Sequence, residues 1–263
     1  MMKGLDLGLE GRRAIVCASS KGLGRACALA LAEAGVSVVI NGRDHNALEA
    51  TARDIRDSTG AVVTAVEADV STPEGQQALL SACPSPDILV NNNGGPSYRD
   101  FRELDRATIT RGLEKNMITP IELIKAVIDG MVERRFGRIV NITSATVYAP
   151  VAGLDLSSGA RAGLTAFLAG VARTVAAHNV TINQILPGIF ATNRMTESIA
   201  VAAKNQQRDR SEVEQQRLMG IPARRFGNPD EFGRICAFLC SAHASYIVGQ
   251  NIVVDGGAYQ SCF

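Results

Sequence analysis

Short β-branched apolar runs alternate along the chain with longer amphipathic stretches. Segments 13–18, 36–41, 62–67, 87–91, 138–143, 181–186 and Asn251–Val254 read as strands. Segments 26–34, 46–58, and stretches near 104–115, 117–135 and 158–178, read as helices. The strand runs are continuously apolar rather than alternating, which predicts a sheet covered on both faces. Regular strand–helix alternation predicts an α/β fold built on a doubly wound parallel sheet, a Rossmann fold. No linker, low-complexity tract or internal repeat interrupts the rhythm, so one domain over 1–263 is expected. Segment 193–224 departs from it, being polar, charged and rich in Gln, Arg and Glu between two strand runs. Ligands of open α/β sheets bind outside the carboxyl ends of the strands. An insertion there is expected to be a lid over a substrate; the alternative is a solvated helical pair.

Composition narrows the partners. The 263 residues are 46% hydrophobic and 20% charged, enough for a sizeable core. With 27 basic and 26 acidic residues the formal charge is +1, which offers no footprint for nucleic acid or an anionic membrane. No run approaches the ~20 apolar residues of a membrane span. The segment Met1-Met2-Lys3-Gly4-Leu5-Asp6 has no apolar signal region, so a cytoplasmic protein with a small-molecule substrate is expected. Cysteines 17, 27, 83, 236, 240 and 262 are scattered. They are expected to be buried free thiols rather than metal ligands or disulfides.

Chemistry enters at the end of the first strand run, in Cys17-Ala18-Ser19-Ser20-Lys21-Gly22-Leu23-Gly24-Arg25. Gly22 and Gly24 let backbone approach a pyrophosphate, and the helix starting there offers free N–H groups and a positive dipole end. Ser19, Ser20, Lys21, Gly22, Leu23 and Gly24 are therefore candidate cofactor-binding residues; the alternative is a tight strand–helix turn without a ligand. The second strand run ends in Asn41-Gly42-Arg43. An acid there would favour NAD, whereas an Arg accommodates the 2′-phosphate of NADP. Arg43 with Lys21 thus favours NADP(H) over NAD(H), unless Arg43 only caps a solvated turn.

In order and spacing these elements resemble the short-chain dehydrogenase/reductase family, especially its 3-oxoacyl-carrier-protein reductase-like branch, over roughly 10–258. The family's T-G-x-x-x-G-x-G reads C-A-S-S-K-G-L-G here. Ala68-Asp69-Val70 resembles the Asp-Val step beside the adenine, and Asn91-Asn92-Asn93-Gly94 the N-N-A-G strand end. Asn116 matches the helix asparagine that anchors a proton-relay water. Residues 137–144, Gly-Arg-Ile-Val-Asn-Ile-Thr-Ser, match the strand that delivers the active-site serine, Ser144. Pro187, Gly188 and Thr192 match the segment beside the nicotinamide, and Val254-Asp255-Gly256-Gly257 the terminal strand. The resemblance implies cofactor contacts by Asp69, Val70, Asn92, Pro187, Gly188 and Thr192, and assembly as a homotetramer or homodimer.

The catalytic pair departs from the pattern. The family places tyrosine thirteen positions after the serine and lysine four further on; counting from Ser144 reaches Ser157 and Arg161. The text Arg161-Ala162-Gly163-Leu164, similar to K-A-G-L, confirms the register. Serine is shorter than tyrosine and lacks its phenol acidity. Arg161 keeps a positive charge that can bond ribose hydroxyls, but it releases no proton. Tyr148 is a candidate replacement acid, with loop packing as the alternative, and Asp155 is a candidate partner of Arg161 or base. None of His45, His178 and His243 falls beside the serine. An NADP(H)-dependent oxidoreductase with a modified site is the leading expectation. A non-redox nucleotide-binding protein and a lyase or isomerase stand as alternatives, since fold alone cannot choose among them.

Overall fold

The computed structural model describes residues 6–96 and 98–261. Its centre is a seven-stranded parallel sheet, in the order β3-β2-β1-β4-β5-β6-β7. The strands are β1 (Arg13–Val16), β2 (Ser37–Gly42), β3 (Val63–Glu67), β4 (Ile88–Asn91), β5 (Gly137–Ile142), β6 (Val180–Pro187) and β7 (Asn251–Val254). β4 and β5 are buried along their whole length. Successive side chains point to opposite faces. Ala14 and Val16 thus enter one core cluster while Ile15 and Cys17 enter the other. This two-sided burial is why the strand runs carry no polar alternation.

Helices α1 (Gly22–Glu33), α2 (His45–Thr59) and α9 (Pro229–Cys240) cover the first face with Leu31, Leu48, Ala52, Ile55, Phe232 and Leu239. The second face is covered by α3 (Pro73–Ala82), α5 (Thr119–Glu133) and α6 (Asp155–Val175), through Leu79, Leu123, Val127, Met131, Leu164 and Leu168. Periodicity does not anticipate two of these helices, α3 and α9. Both start at a capped proline. Thr72 accepts from Gly75 N at 3.1 Å, and Asn228 and Glu231 form a reciprocal capping box around Pro229, arrangements suited to a helix start.

Between α4 (Arg106–Leu113) and α5 the chain does not break. It makes one wide π turn, Glu114–Ile118, with Asn116 buried inside. The polar insertion folds as α7 (Asn193–Gln206) and α8 (Arg210–Met219), joined by a small apolar cluster of Ile199, Ala203 and Val213. No helix among the described residues is long and apolar enough to cross a membrane. The five described cysteines are buried and unbridged. Burial pushes the Cys17 thiol up to about 12.

Candidate active site

The strand order reverses between β1 and β4, and at that switch point both strand ends open toward the same cleft. The turn after β1 is held from below. Asn41 at the end of β2 accepts Ala18 N on its side chain (3.2 Å) and Ser19 N on its carbonyl (2.7 Å), and its amide group donates to Val66 O and Ala68 O. Asn92, just past β4, donates to Ala18 O at 3.0 Å. Ala18 stands at φ 44°, a left-handed conformation that the family's glycine adopts without cost. Ser19 is fully buried, and its hydroxyl donates to Val16 O while accepting from Asn41 N. Its side chain therefore braces the turn from inside.

No side chain caps the N-terminus of α1, so its first N–H groups stay available to an anion. Backbone comes close at Gly24: a methyl there would fall 2.6 Å from Ala18 O and 2.8 Å from Asn92 Nδ2. Thr192 caps α7 and reaches the same place, its Cγ2 lying 3.6 Å from where a Gly22 methyl would be. These features fit a pyrophosphate. At the end of β2 the two proposed phosphate cations face carboxylates, Arg43 with Asp69 at 3.8 Å and Lys21 with Asp44 at 3.6 Å. Asp44 is an acid that a strand end read only as far as Arg43 leaves out. Its other oxygen accepts Ala47 N at 3.1 Å, which ties it to α2. Burial works to raise the Asp69 carboxyl, but hydrogen bonds from Ser71, with Lys115 and Arg43 nearby, outweigh it and hold the group below the ordinary carboxylate range. Val70 is buried beside it. Pro187 ends β6, and Gly188 packs so closely on Asp255 that a methyl would sit 2.5 Å from its Cβ.

Ser144 follows β5 in extended conformation. Its Oγ accepts from Thr146 N (3.2 Å) and Thr146 Oγ1 (2.9 Å), which leaves its own proton without an acceptor among the described residues. The wide turn buries Asn116, whose Nδ2 donates to Gly112 O at 3.2 Å. Such turns recur at functional sites.

Ser157 and Arg161 lie one turn apart on the buried face of α6, and the Arg161 guanidinium donates to the Ser157 hydroxyl. Burial, with the Arg194 charge beside it, pulls Arg161 down to about 10. It remains a cation at neutral pH.

The two other candidates behave differently. Tyr148 is 38% exposed and packs its ring against Tyr259, centroids 5.4 Å apart. Asp155 is the first residue of α6; its carboxylate accepts Gly153 N at 3.0 Å and makes no ion pair with Arg161. The expectation of an Asp155–Arg161 pair is thus corrected, because the N-terminal turn claims the carboxylate. His45 pairs with Glu67, and the His243 ring meets Asp6 O. One contributor escapes the sequence reading. Arg194, two residues past Thr192, crosses from α7 to donate to Gly95 O and Pro96 O, both at 3.2 Å. Its only sequence signal is a basic residue in the first turn of a helix, against the usual dipole preference.

The comparisons with known proteins agree with this geometry. The profile described as enoyl-(acyl carrier protein) reductase matches residues 17–259. The NADPH-dependent reductase BacG of Bacillus subtilis is 32% identical over 96% of this chain and 100% of its own. The 3-oxoacyl-(acyl-carrier-protein) reductase FabG of Vibrio cholerae is 34% identical over 96% and 99%. The crystal structure of L-sorbose reductase from Gluconobacter frateurii, complexed with NADPH and L-sorbose, superposes with a TM-score of 0.92. It is 29% identical, with 98% of this chain and 100% of that chain covered. The chain belongs to the short-chain dehydrogenase/reductase family, in the company of its 3-oxoacyl-carrier-protein reductases.

Proposed function

We propose that the protein is an NADP(H)-dependent oxidoreductase that interconverts a carbonyl and an alcohol on a small or acyl substrate. The observation that carries this reading is the convergence of an uncapped, glycine-lined helix start, Ser144 and Asn116 at the carboxyl end of one sheet. The names of the relatives support the same cofactor and chemistry. Bound at this edge, a nicotinamide would supply the hydride; the protein supplies orientation and electrostatics.

Gly22, Leu23 and Gly24 would hold the pyrophosphate with their N–H groups. Arg43 and Lys21 would leave Asp69 and Asp44 for the 2′-phosphate, a stronger acceptor. Ser20, Val70, Asn92, Pro187, Gly188 and Thr192 would frame the rest. Ser144 donates its free proton to the substrate carbonyl oxygen and polarises it. Asn116 holds a water that delivers the proton to the developing alkoxide. Ser157 and Arg161 give the site a hydroxyl and a fixed cation in place of a titrating phenol, so proton delivery is its weakest step. Tyr148 has a packing role against Tyr259. One domain over 1–263, with α7 and α8 as a substrate lid, and a cytoplasmic homotetramer or homodimer complete the proposal.

Absorbance at 340 nm, followed with NADPH and a panel of ketones, aldehydes and 3-oxoacyl thioesters, tests it. Substrate-dependent loss of NADPH supports the reading. Tight NADPH binding with no oxidation against any carbonyl would favour the non-redox alternative, which the missing Tyr and Lys keep in play.

A further inference from the structure

Two guanidinium groups converge beside Gly95, in the loop after β4, with no ion-paired carboxylate among the described residues. Arg161 comes from α6 and Arg194 from the first turn of α7. A methyl placed on Gly95 would meet Arg161 Nη2 at 2.9 Å and Arg194 Nη2 at 3.0 Å. Arg161 is 8% exposed, and its one acceptor among the described residues is the Ser157 hydroxyl. Its remaining N–H donors find no acceptor among the described residues. Among the described residues, Arg194 bonds only the Gly95 and Pro96 carbonyls. Neither makes an ion pair among the described residues, although nine Arg or Lys pairs occur elsewhere among them.

A buried cation without a counter-charge is costly, and a second cation beside it adds to the cost. The start of α7 contributes a positive dipole end as well, and its first turn carries no acidic residue. Two guanidinium charges therefore stand together, one of them on the first turn of α7. An anion there would offset both of them, and two planar guanidinium forks match a carboxylate bidentately. The phosphates of a dinucleotide are already provided for at the turn after β1 and the end of β2. The unmatched charge lies instead between the helix that bears Ser157 and the helix of the insertion.

We propose that Arg161 and Arg194 bind a carboxylate carried by the carbonyl substrate, so that the protein acts on an oxo acid rather than a neutral ketone. The inference rests on the reductase reading for the word carbonyl, and on this chain's own side chains for the word acid. It also gives the insertion a role, because Arg194, which already ties α7 to the loop after β4, would hold the substrate as well.

Matched acid and amide probes test it: benzoylformate against benzoylformamide, and acetoacetate against acetoacetamide. NADPH is titrated first. Each probe is then titrated into the NADPH complex, with nicotinamide fluorescence as the readout, so no turnover is needed. The acid of at least one pair is expected to bind about tenfold or more tightly than its amide, the usual scale of a charged hydrogen-bonded contact. Arg194→Ala should shrink that preference to about threefold or less, and Arg194→Lys should retain part of it. Equal affinity of acid and amide, no binding of either, or a preference that survives Arg194→Ala would overturn the proposal. Absence of NADPH binding would count against the reductase reading alone. Acid and amide are then compared by thermal shift on the cofactor-free protein, where acid-specific stabilisation lost in Arg194→Ala supports the site and its absence overturns it.

Discussion

Arg161 has traded the flexible ammonium expected at its position for a planar, permanently charged fork, and Ser157 has traded a phenol for a short hydroxyl. The structure shows the two acting as a unit, since the guanidinium reaches back one turn to the hydroxyl. Counting from Ser144 locates both positions in the sequence, because spacing along a strand–loop–helix is set by the backbone. Counting does not reveal Arg194 beside them, because that contact joins residues far apart in the chain. Nor does it show that the Asp155 carboxylate is taken by a local turn. A buried cation facing another cation should destabilise the empty protein. Arg161→Met is therefore expected to raise stability in urea by about 1–4 kcal/mol, on the scale found when a buried ion pair gives way to apolar side chains. A loss of stability would mean that the guanidinium is better compensated than its contacts suggest. Because Arg161 stays charged below its lowered value of about 10, the stability gain should be constant across pH 6 to 9.

At the scale of elements, the turn from β1 into α1 is closely packed and partly strained. Gly24 has no room for a methyl against Ala18 O. Gly24→Ala should cost about 1–3 kcal/mol as an overpacking change and weaken NADPH binding with it. Both are checked by urea unfolding and calorimetric titration. Ala18 sits at positive φ, so Ala18→Gly should be neutral or stabilising by up to about 1 kcal/mol, relief of strain being partly offset by the freer unfolded chain. At the end of β2, Arg43→Ala should weaken NADPH and leave NADH nearly unchanged in the same titration; equal losses for both would remove Arg43 from the 2′-phosphate. The strands are legible in the sequence because two-sided burial writes them as unbroken apolar runs. The helices α3 and α9 escape a periodicity reading although Thr72-Pro73 and Asn228-Pro229 announce them, since their starts are signalled by capping chemistry. The wide turn at Asn116 is invisible for a further reason: a single extra residue in a helix leaves the hydrophobic pattern on either side intact.

The whole molecule presents a parallel sheet whose carboxyl edge gathers the glycine turn after β1, the serine, the asparagine and the arginine pair. Cofactor should therefore stabilise it globally. At NADPH near a hundred times its Kd the gain is about 2.7 kcal/mol, which for a chain of this size raises Tm by several degrees, and NADH at the same concentration should give less. Light scattering at micromolar concentration should report a tetramer or dimer; a monomer would remove the assembly that the family resemblance implies. On the proposed reading, a reductase scaffold is intact here and proton delivery limits it. General acid–base catalysis contributes on the order of 10² to 10⁴-fold. The decisive experiment is NADPH oxidation at 340 nm by the wild type and by Ser157→Tyr with Arg161→Lys, on a carbonyl substrate that the wild type turns over slowly or, failing one, on the carbonyl panel. A rise of at least about tenfold is expected in the double variant, with a smaller gain from Ser157→Tyr alone. Unchanged or lower turnover, with NADPH binding intact, would contradict an intact scaffold limited by its proton donor.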